Sequence, residues 1–290
     1  MEIQKSFAAS DYGTLYIVPT PIGNLEDMTF RAVRTLQEAA KIAAEDTRNT
    51  KKLLSHFDIH TPLVSYHEHN KHARENQLIE ILENGEDLAI VSDAGMPGIS
   101  DPGYELIQSA IASNIPVVVL PGANAALCAL IGSGLETEKF YFYGFLPRKK
   151  KDREQELEGI KSFRSTLVFY ESPHRLKETL KAIQNVLGKR KASLSRELTK
   201  RYEEYLRGNI DEVLEWAETN ELRGEFCIVV EGNKTEVLQD ELWWSSLSVI
   251  DHVEHYINNE DMSSKQAIKQ AAIDRKLPKR EVYQAYHVEE

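Results

Sequence analysis

Cysteine is scarce in this chain: its 290 residues include two, Cys128 and Cys227. Each lies among apolar neighbours, in the segments ANAALCALI and GEFCIVV. This setting predicts two buried free thiols in a reducing compartment rather than a disulfide. So few cysteines also exclude a metal site built from a cysteine and histidine cluster, and we expect the chain to bind no metal.

Long hydrophobic runs and an excess of positive charge are also missing. No segment approaches the roughly 18 uncharged apolar residues that a membrane helix needs. The first residues, MEIQKSFAASDYG, have no basic stretch that leads into an apolar run, so we expect a cytoplasmic protein with no membrane partner. The net charge of −11 argues against a protein that coats nucleic acid non-specifically, because phosphate contacts need Lys and Arg. Any contact with RNA must therefore be local.

Two basic segments could supply such a local contact. The first runs from Arg148 through Lys151 to Arg153, and a solvated linker is the alternative interpretation of it. The second, residues 262–288, holds six Lys or Arg against two Asp or Glu. It also forms two short amphipathic patterns around LPKR, which is typical of a helix-turn-helix arrangement.

The chain does contain an alternation of short apolar runs and amphipathic segments. The runs LYIV, IAAEDT, PLVSY, DLAIV and IPVVVL are separated by helical patterns. Runs without polar alternation indicate strands that are covered on both faces, as in a parallel sheet wrapped by helices. A second series of helices and strands begins after the segment FYFYGFLPRKKKDREQE, and its strand directions cannot be read from the sequence.

The predicted fold is therefore an α/β protein with a parallel-sheet first domain, a second α/β domain with a mixed sheet, and a helical tail. Two domains and a tail suit 290 residues, since domains commonly contain roughly 100 to 200 residues. We place the boundaries at 1–125, 126–236 and 237–290.

Three glycine- and proline-containing loops follow predicted strands of the first domain: PTPIGN, SDAGMPGISDPG and LPGANAA. Ligands of open parallel sheets bind at the carboxyl ends of the strands, where such turns let the backbone approach them closely. Neither G-x-G-x-x-G nor G-x-x-x-x-G-K-[ST] occurs at these turns, so dinucleotide and phosphate-cradle sites lack support. Backbone-rich loops without lysine suit a ligand that carries positive charge.

These loops, together with AEDTRNTKKLL at 44–54, FYESPHR at 169–175 and SREL at 195–198, occur in an order that resembles the tetrapyrrole methylase superfamily. Within it, the chain looks most similar to the methyltransferases of small-subunit ribosomal RNA. The resemblance runs from about Gly13 to Gly232, and the SDAGMPGISDPG and EDTR motifs are its most distinctive parts.

The resemblance implies a homodimeric enzyme that binds S-adenosylmethionine between two α/β domains. The implied acceptor is a cytidine ribose 2′-hydroxyl in the decoding centre of small ribosomal subunit RNA. The residues that it implies for cofactor binding lie in five motifs of the chain. They are Pro21, Ala94, Gly95, Met96, Ile99, Asn124, Ala125, Tyr170, Glu171 and Leu198.

A ribose hydroxyl is a poor nucleophile, so a nearby base or a cation should assist methyl transfer. The candidates for this catalytic role follow predicted strands: they are Glu45, Asp46, Arg48 and Glu197. In the alternative interpretation of EDTR, Asp46 caps a helix and Arg48 pairs with a carboxylate.

Other groups near these motifs are weaker candidates. The cluster His67, Glu68 and His69 is more typical of a solvent-exposed strand end, and Asp101, directly before Pro-Gly, is interpreted as bracing a turn. Two other functions stay open at this point: methylation of a tetrapyrrole by the same fold, and a non-catalytic RNA-binding assembly factor.

Overall fold

A computed structural model describes residues 3–6, 10–234, 243–260 and 262–287, the side chains of residues 71 and 72 excepted. The chain divides into two compact units, Met1–Asn233 and Lys234–Glu290. The boundary predicted at 236–237 lies outside the described residues. The larger unit contains two sheets, and each is described in turn.

The first sheet is built by the amino-terminal part of the larger unit. Its elements are β1 (Leu15–Ile17), α1 (Phe30–Glu38), β2 (Lys41–Ala44), α2 (Thr47–His56), β3 (Leu63–Ser65), α3 (Lys71–Glu83), β4 (Leu88–Val91), α4 (Tyr104–Ala112) and β5 (Val117–Val119). The strands pair in the order β3-β2-β4-β1-β5, and every pairing is parallel. Apolar clusters cover both faces of this sheet, which explains why its strands lack polar alternation.

The second sheet follows along the chain. Its elements are α5 (Ala125–Ser133), β6 (Phe140–Phe145), α6 (Lys150–Ile160), β7 (Thr166–Glu171), α7 (Leu176–Leu187), β8 (Lys191–Arg196), β9 (Glu204–Asn209), α8 (Ile210–Thr219) and β10 (Phe226–Val230). The strand order is β6-β7-β10-β8-β9. The β6–β7 pair is parallel and the other pairs are antiparallel, so the predicted fold class, with a parallel first sheet and a mixed second sheet, is confirmed.

Three elements of the second sheet are absent from the sequence prediction. One is β6, because the predicted second series begins only after the segment FYFYGFLPRKKKDREQE, which contains this strand. The edge strand β9 carries charged side chains and none of its residues is buried, so it lacks the apolar pattern of the other strands. Helix α5 is apolar over its whole length and packs against β7, β8 and β10. Its sequence gives no helical period because both the buried and the exposed faces are apolar.

One prediction about an individual residue is wrong, and one alternative interpretation of a segment is excluded. Cys128 is exposed, because α5 turns this position away from the second sheet, whereas Cys227 is buried in β10 as predicted. The basic segment is not a linker, since α6 begins at Lys150. Within it, Arg153 has a side chain that is 3% exposed and pairs with Glu178 at 3.3 Å, which removes Arg153 from any RNA-facing surface.

The carboxy-terminal unit consists of three helices in its described residues: α9 (Val249–Asn259), α10 (Ser264–Asp274) and α11 (Lys279–His287). They share an apolar core that includes Val253, Ile268 and Val282. The two predicted helices around LPKR correspond to α10 and α11. No helix within the described residues has the length and apolar character needed to cross a bilayer.

Arg275 holds the start of this unit to its core. The guanidinium donates to the carbonyl oxygens of Leu247 at 2.6 Å and Ser248 at 3.0 Å, and to Nδ1 of His252 at 3.0 Å. It also lies over the ring of Trp244, 5.2 Å from the centroid.

We expect Arg275→Ala to destabilise the carboxy-terminal unit by at least about 2 kcal/mol, because even one hydrogen bond from a charged donor contributes roughly 1.5 to 3 kcal/mol and Arg275 donates several. Urea unfolding followed by tryptophan fluorescence measures the change, since Trp244 is buried in this unit. Lys276→Ala, at the next and exposed position, is the control. Equal unfolding midpoints for the two variants would contradict the expectation.

Candidate active site

A cavity of about 360 Å³ lies between the two sheets of the larger unit. One wall comes from the residues that follow β1, β2, β4 and β5, at the carboxyl ends of the parallel strands. The other wall comes from β7, β8 and β10 of the second sheet and the residues beside them. The volume lies within the roughly 300 to 1,000 Å³ that is typical of small-molecule sites.

The loop of residues 92–103 forms much of the first wall. Gly95 joins Thr20 through two backbone hydrogen bonds, of 2.9 and 3.0 Å, and it takes a φ of 79° that favours glycine. Ser100 takes a φ of 64°, which non-glycine residues rarely adopt. Asp101 follows it and lines the cavity. Strained non-glycine backbone of this kind is concentrated at functional sites.

Three carboxylates gather at this wall: Glu45, Asp93 and Asp101. Asp93 is fixed by the first turn of α2, because it accepts hydrogen bonds from the backbone N–H of Asp46 at 3.2 Å and from Nδ2 of Asn49 at 3.1 Å. Like charges in one cavity make it unfavourable for all three carboxylates to be ionised at once.

The pKa values of two of these groups are raised, chiefly by burial and further by that repulsion. Burial, followed by the charges of Glu45 and Asp93, raises the pKa of Asp101 to about 7. Burial also raises the pKa of Glu45, and the charges of Asp93 and Asp46 act in the same direction. Perturbed carboxyl groups in a cavity are typical of catalytic sites.

The second wall is mostly apolar, and a hydrogen bond joins it to the first wall. The hydroxyl of Tyr170 accepts a hydrogen bond from the backbone N–H of Ala126 at 3.1 Å. Burial raises the pKa of Tyr170, so its hydroxyl stays neutral. Burial likewise raises the pKa of Cys227 to about 12, and the thiol in this wall is therefore not a nucleophile at neutral pH.

Glu171 lines the cavity, but its carboxylate binds other residues of the second wall. It accepts hydrogen bonds from the Thr179 hydroxyl at 2.6 Å and the Ser172 N–H at 2.8 Å, and it pairs with Arg175 at 3.4 Å. Its side chain is fully buried. These contacts indicate that Glu171 shapes the wall.

Lys200 closes one side of the cavity. Its Nζ pairs with Glu197 at 2.9 Å and Glu225 at 3.0 Å, and its methylenes pass so close to Gly23 that a Cβ there would lie 2.3 Å from one of them. Although partial burial opposes the shift, the Lys200 ammonium and the Glu225 N–H lower the pKa of Glu197. Glu197 is therefore ionised and neutralises Lys200.

The cavity brings together most of the residues predicted from the sequence. Those in its lining are Glu45, Ala94, Gly95, Met96, Ile99, Asn124, Ala125, Tyr170, Glu171 and Leu198. The side chain of Asn124 also caps α5, since its Oδ1 accepts from the Leu127 N–H at 3.0 Å.

The lining does not include Pro21, Asp46, Arg48 or Glu197. Asp46 caps α2 and binds Arg48 through two hydrogen bonds, of 3.1 and 2.7 Å, as in the alternative interpretation of EDTR. The Arg48 guanidinium lowers the pKa of Asp46 to about 2, which makes that carboxylate a weak base.

Sequence reasoning missed several cavity residues. Asp101 lies in the cavity lining rather than only bracing a turn, and Ile22, Phe145 and Lys200 also contribute to it. Asp101 and Ile22 belong to loops that the sequence singles out, so their position after a strand was an available signal. No such signal in the sequence identifies Lys200, because the turn after β8 is irregular. His67 and His69 are not part of the lining.

Among the described residues, no group of three or more His, Cys, Asp or Glu side chains is arranged to hold a metal ion. The cavity instead offers apolar surface, backbone groups and carboxylates. This combination suits an organic ligand with a cationic centre and a flat apolar part.

The chain is similar to known proteins over its whole length. It is 60% identical over 290 residues to ribosomal RNA small subunit methyltransferase I of Halalkalibacterium halodurans, covering 100% of both chains. It is 57% identical over 289 residues to ribosomal RNA small subunit methyltransferase I of Bacillus subtilis, covering 99% of both.

Solved structures share the fold at much lower sequence identity. The uroporphyrin-III C-methyl transferase of Thermus thermophilus, complexed with S-adenyl homocysteine, superposes with a TM-score of 0.55 and 19% identity, over 76% of this chain and 97% of that chain. The profile of the tetrapyrrole (corrin/porphyrin) methylases matches residues 14–214, which include the whole first sheet and the second sheet except β10. The chain therefore belongs to the tetrapyrrole methylase family.

Proposed function

We propose that this protein transfers a methyl group from S-adenosylmethionine to a cytidine ribose 2′-hydroxyl in the decoding centre of small-subunit ribosomal RNA. The observation that carries the proposal is the acidic cavity at the strand ends of a methylase fold. The names of the full-length relatives, which are 60% and 57% identical, support the choice of RNA as the acceptor.

The cavity fits the methyl donor in charge and in polarity. S-adenosylmethionine supplies a methyl group bound to a positively charged sulfur, and the carboxylates of the first wall favour a cation. The apolar side chains of Ile22, Met96 and Leu198 are in the same lining and would hold the adenine. The backbone around Gly95 and Ala125 is available for hydrogen bonds to the donor's polar ends.

The residues of this chain would then orient the acceptor and accept its proton. Asp101 is half-buried in the cavity, and a carboxyl with a pKa of about 7 is matched to general-base catalysis near neutral pH. Glu45 and Asp93 would keep it basic through their charges. Asp46 would act as a positioning residue, because its N–H donates to Asp93, and Arg48 would hold the Asp46 side chain.

The test uses the purified full chain with radiolabelled S-adenosylmethionine and three acceptors: small ribosomal subunits, large ribosomal subunits and a porphyrinoid. We expect label in the small subunits alone, at a single 2′-O-methylcytidine when the RNA is digested. Label in the porphyrinoid would favour a tetrapyrrole substrate. Donor binding by calorimetry without label in any acceptor would contradict the proposed reaction.

Filling the cavity should weaken donor binding. Ala125→Phe places a ring in the lining, and overpacking of a site costs roughly 1 to 3 kcal/mol, or about 5- to 150-fold in Kd. Calorimetry with S-adenosylmethionine measures the change. Ala112→Phe, at an exposed position of α4, is the matched control and should keep the Kd of the unaltered protein. Unchanged binding by Ala125→Phe would place the donor elsewhere.

We further propose that the protein is a cytoplasmic homodimer. Large apolar side chains on the outer face of α5 support self-association: Leu127 is 49% exposed and Ile131 is 70% exposed. Light scattering coupled to size-exclusion chromatography measures the mass, and a monomer at micromolar concentration would contradict the proposal.

A further inference from the structure

A second cavity, of about 270 Å³, lies beside the acidic one. We call it the α2 groove and define it by its lining residues Pro21, Leu25, Asn49 and Lys52, together with Asp93. Asp93 lines both cavities, so the two meet at this carboxylate. The proposed reaction does not use the α2 groove.

The α2 groove lies beside positively charged side chains, whereas carboxylates line the acidic cavity. Lys52 lines the groove, and Arg48 and Lys51 lie beside it on α2, since positions i, i+3 and i+4 share one face of a helix. All three side chains are exposed, and α2 contains no Asp or Glu. Asp46 at the helix cap pairs with Arg48 at 2.7 Å, so Lys51 and Lys52 supply the net positive charge. In a chain with a net charge of −11, this face is a local site of positive potential that favours a polyanion.

The groove is also joined by hydrogen bonds to Asp93, one of the three carboxylates of the acidic cavity. Asn49, which lines the groove, donates to Oδ2 of Asp93 at 3.1 Å, and the N–H of Asp46 donates to Oδ1 at 3.2 Å. The same turn of α2 therefore faces the groove and fixes the carboxylate at the boundary of the acidic cavity. An occupant of the groove would lie next to the acceptor.

Phosphate groups are unsuited to the acidic cavity. Its carboxylates repel them, and its lysine, Lys200, is already neutralised by Glu197 and Glu225. In RNA the 2′-hydroxyl is on the ribose carbon adjacent to the one that carries the 3′-phosphate. A ribose held at Asp101 must therefore place its phosphodiester immediately outside the acidic cavity. A surface of positive charge there would favour it.

We propose that the α2 groove is the binding site for the phosphodiester segment of RNA that flanks the acceptor ribose, with Lys51 and Lys52 facing its phosphates. This inference rests on the proposed function. It assigns to α2 a role in acceptor binding that is separate from donor binding, and it gives the basic residues after the EDTR motif a ligand.

The experiment compares the unaltered protein with Lys51→Gln/Lys52→Gln and with a control, Lys177→Gln/Lys181→Gln on α7. Both variants remove two exposed lysines from a helix, and glutamine preserves helix propensity. Affinity for small ribosomal subunits is measured from about 0.05 to 0.2 M salt, and donor affinity is measured by calorimetry.

We expect the α2 variant to bind the subunits roughly 25- to 60-fold more weakly at 0.1 M salt, with the slope of log K against log salt reduced by about 1.4 to 1.8, since each phosphate contact contributes about 0.7 to 0.9. The KM for the subunits should rise while the Kd for S-adenosylmethionine stays unchanged. The control should match the unaltered protein.

Three results would overturn the inference. An unchanged slope and KM in the α2 variant would show that no phosphate is bound there. A changed donor Kd with an unchanged slope would assign the groove to the methyl donor. An equal loss of subunit affinity in the control would show that the effect comes from the overall charge of the protein. In each case the unaltered protein still methylates the subunits, so failure of the inference is distinct from failure of the proposed function.

Discussion

Replacing Asp101 with asparagine is expected to lower kcat for methyl transfer by about 100-fold or more, since general-base catalysis contributes roughly 10² to 10⁴-fold. Asparagine has nearly the same shape but cannot accept the hydroxyl proton. The Kd for S-adenosylmethionine should change much less than kcat. Single-turnover methylation of small ribosomal subunits separates the chemical step from binding.

The pH dependence gives a second measurement of the same role. Because the pKa of Asp101 is about 7 in the folded protein, the basic form is scarce at pH 6 and predominates at pH 8. We expect kcat/KM of the unaltered protein to rise with pH and level off above pH 7, since this parameter reports the free enzyme. The rise should be absent in Asp101→Asn.

Stability distinguishes this loss of activity from misfolding. A carboxyl whose pKa is raised on folding binds its proton more tightly in the folded state, so it destabilises the protein as pH rises from about 4 to 7. Asp101→Asn removes that effect and should melt at the same or a higher temperature at pH 8. The control, Asp152→Asn at an exposed position of α6, should keep full activity. Retained activity with an unchanged pH profile in Asp101→Asn would remove Asp101 from catalysis.

The second large effect concerns Glu171, which we expect to matter for folding. Glu171→Ala removes a fully buried carboxylate and leaves Arg175 without the carboxylate of its ion pair. Breaking a buried ion pair by deleting one member costs roughly 3 to 5 kcal/mol. The Thr179 hydroxyl and the Ser172 N–H also lose their acceptor. We therefore expect the free energy of unfolding to fall by about 3 kcal/mol.

Urea unfolding of the larger unit, followed by circular dichroism, measures this change. Glu171→Gln should lose less stability, because the amide oxygen still accepts from Ser172, although the charge opposite Arg175 is gone. Glu215→Ala, at an exposed position of α8, is the control and should stay within about 0.5 kcal/mol of the unaltered protein. A Glu171→Ala variant as stable as this control would refute the structural role.

Much of the fold could be predicted because its signals are local in the chain. The continuous apolar runs of the first sheet predict strands that are covered on both faces, and the structure confirms it. The motif EDTR carries its own helix cap, and Asp46 indeed caps α2. Strand β9 escaped prediction, since an exposed edge strand needs no apolar period.

The site was predicted less completely than the fold. The loops at the strand ends identify Ala94, Gly95 and Met96 as cavity residues, because ligands of parallel sheets bind at that edge. The prediction did not extend to Asp101, whose direction depends on the left-handed backbone at Ser100. Residue type and spacing do not specify such a turn.

The sequence by itself determined the α/β architecture, the three loops at the strand ends and the resemblance to a methylase family. These follow from apolar period, turn chemistry and the order of motifs, which are all local. Only the tertiary structure decided that Glu45, Asp93 and Asp101 share one cavity and that Glu197 neutralises Lys200. Burial and the charges of distant neighbours set a pKa, and those neighbours meet only when the chain folds.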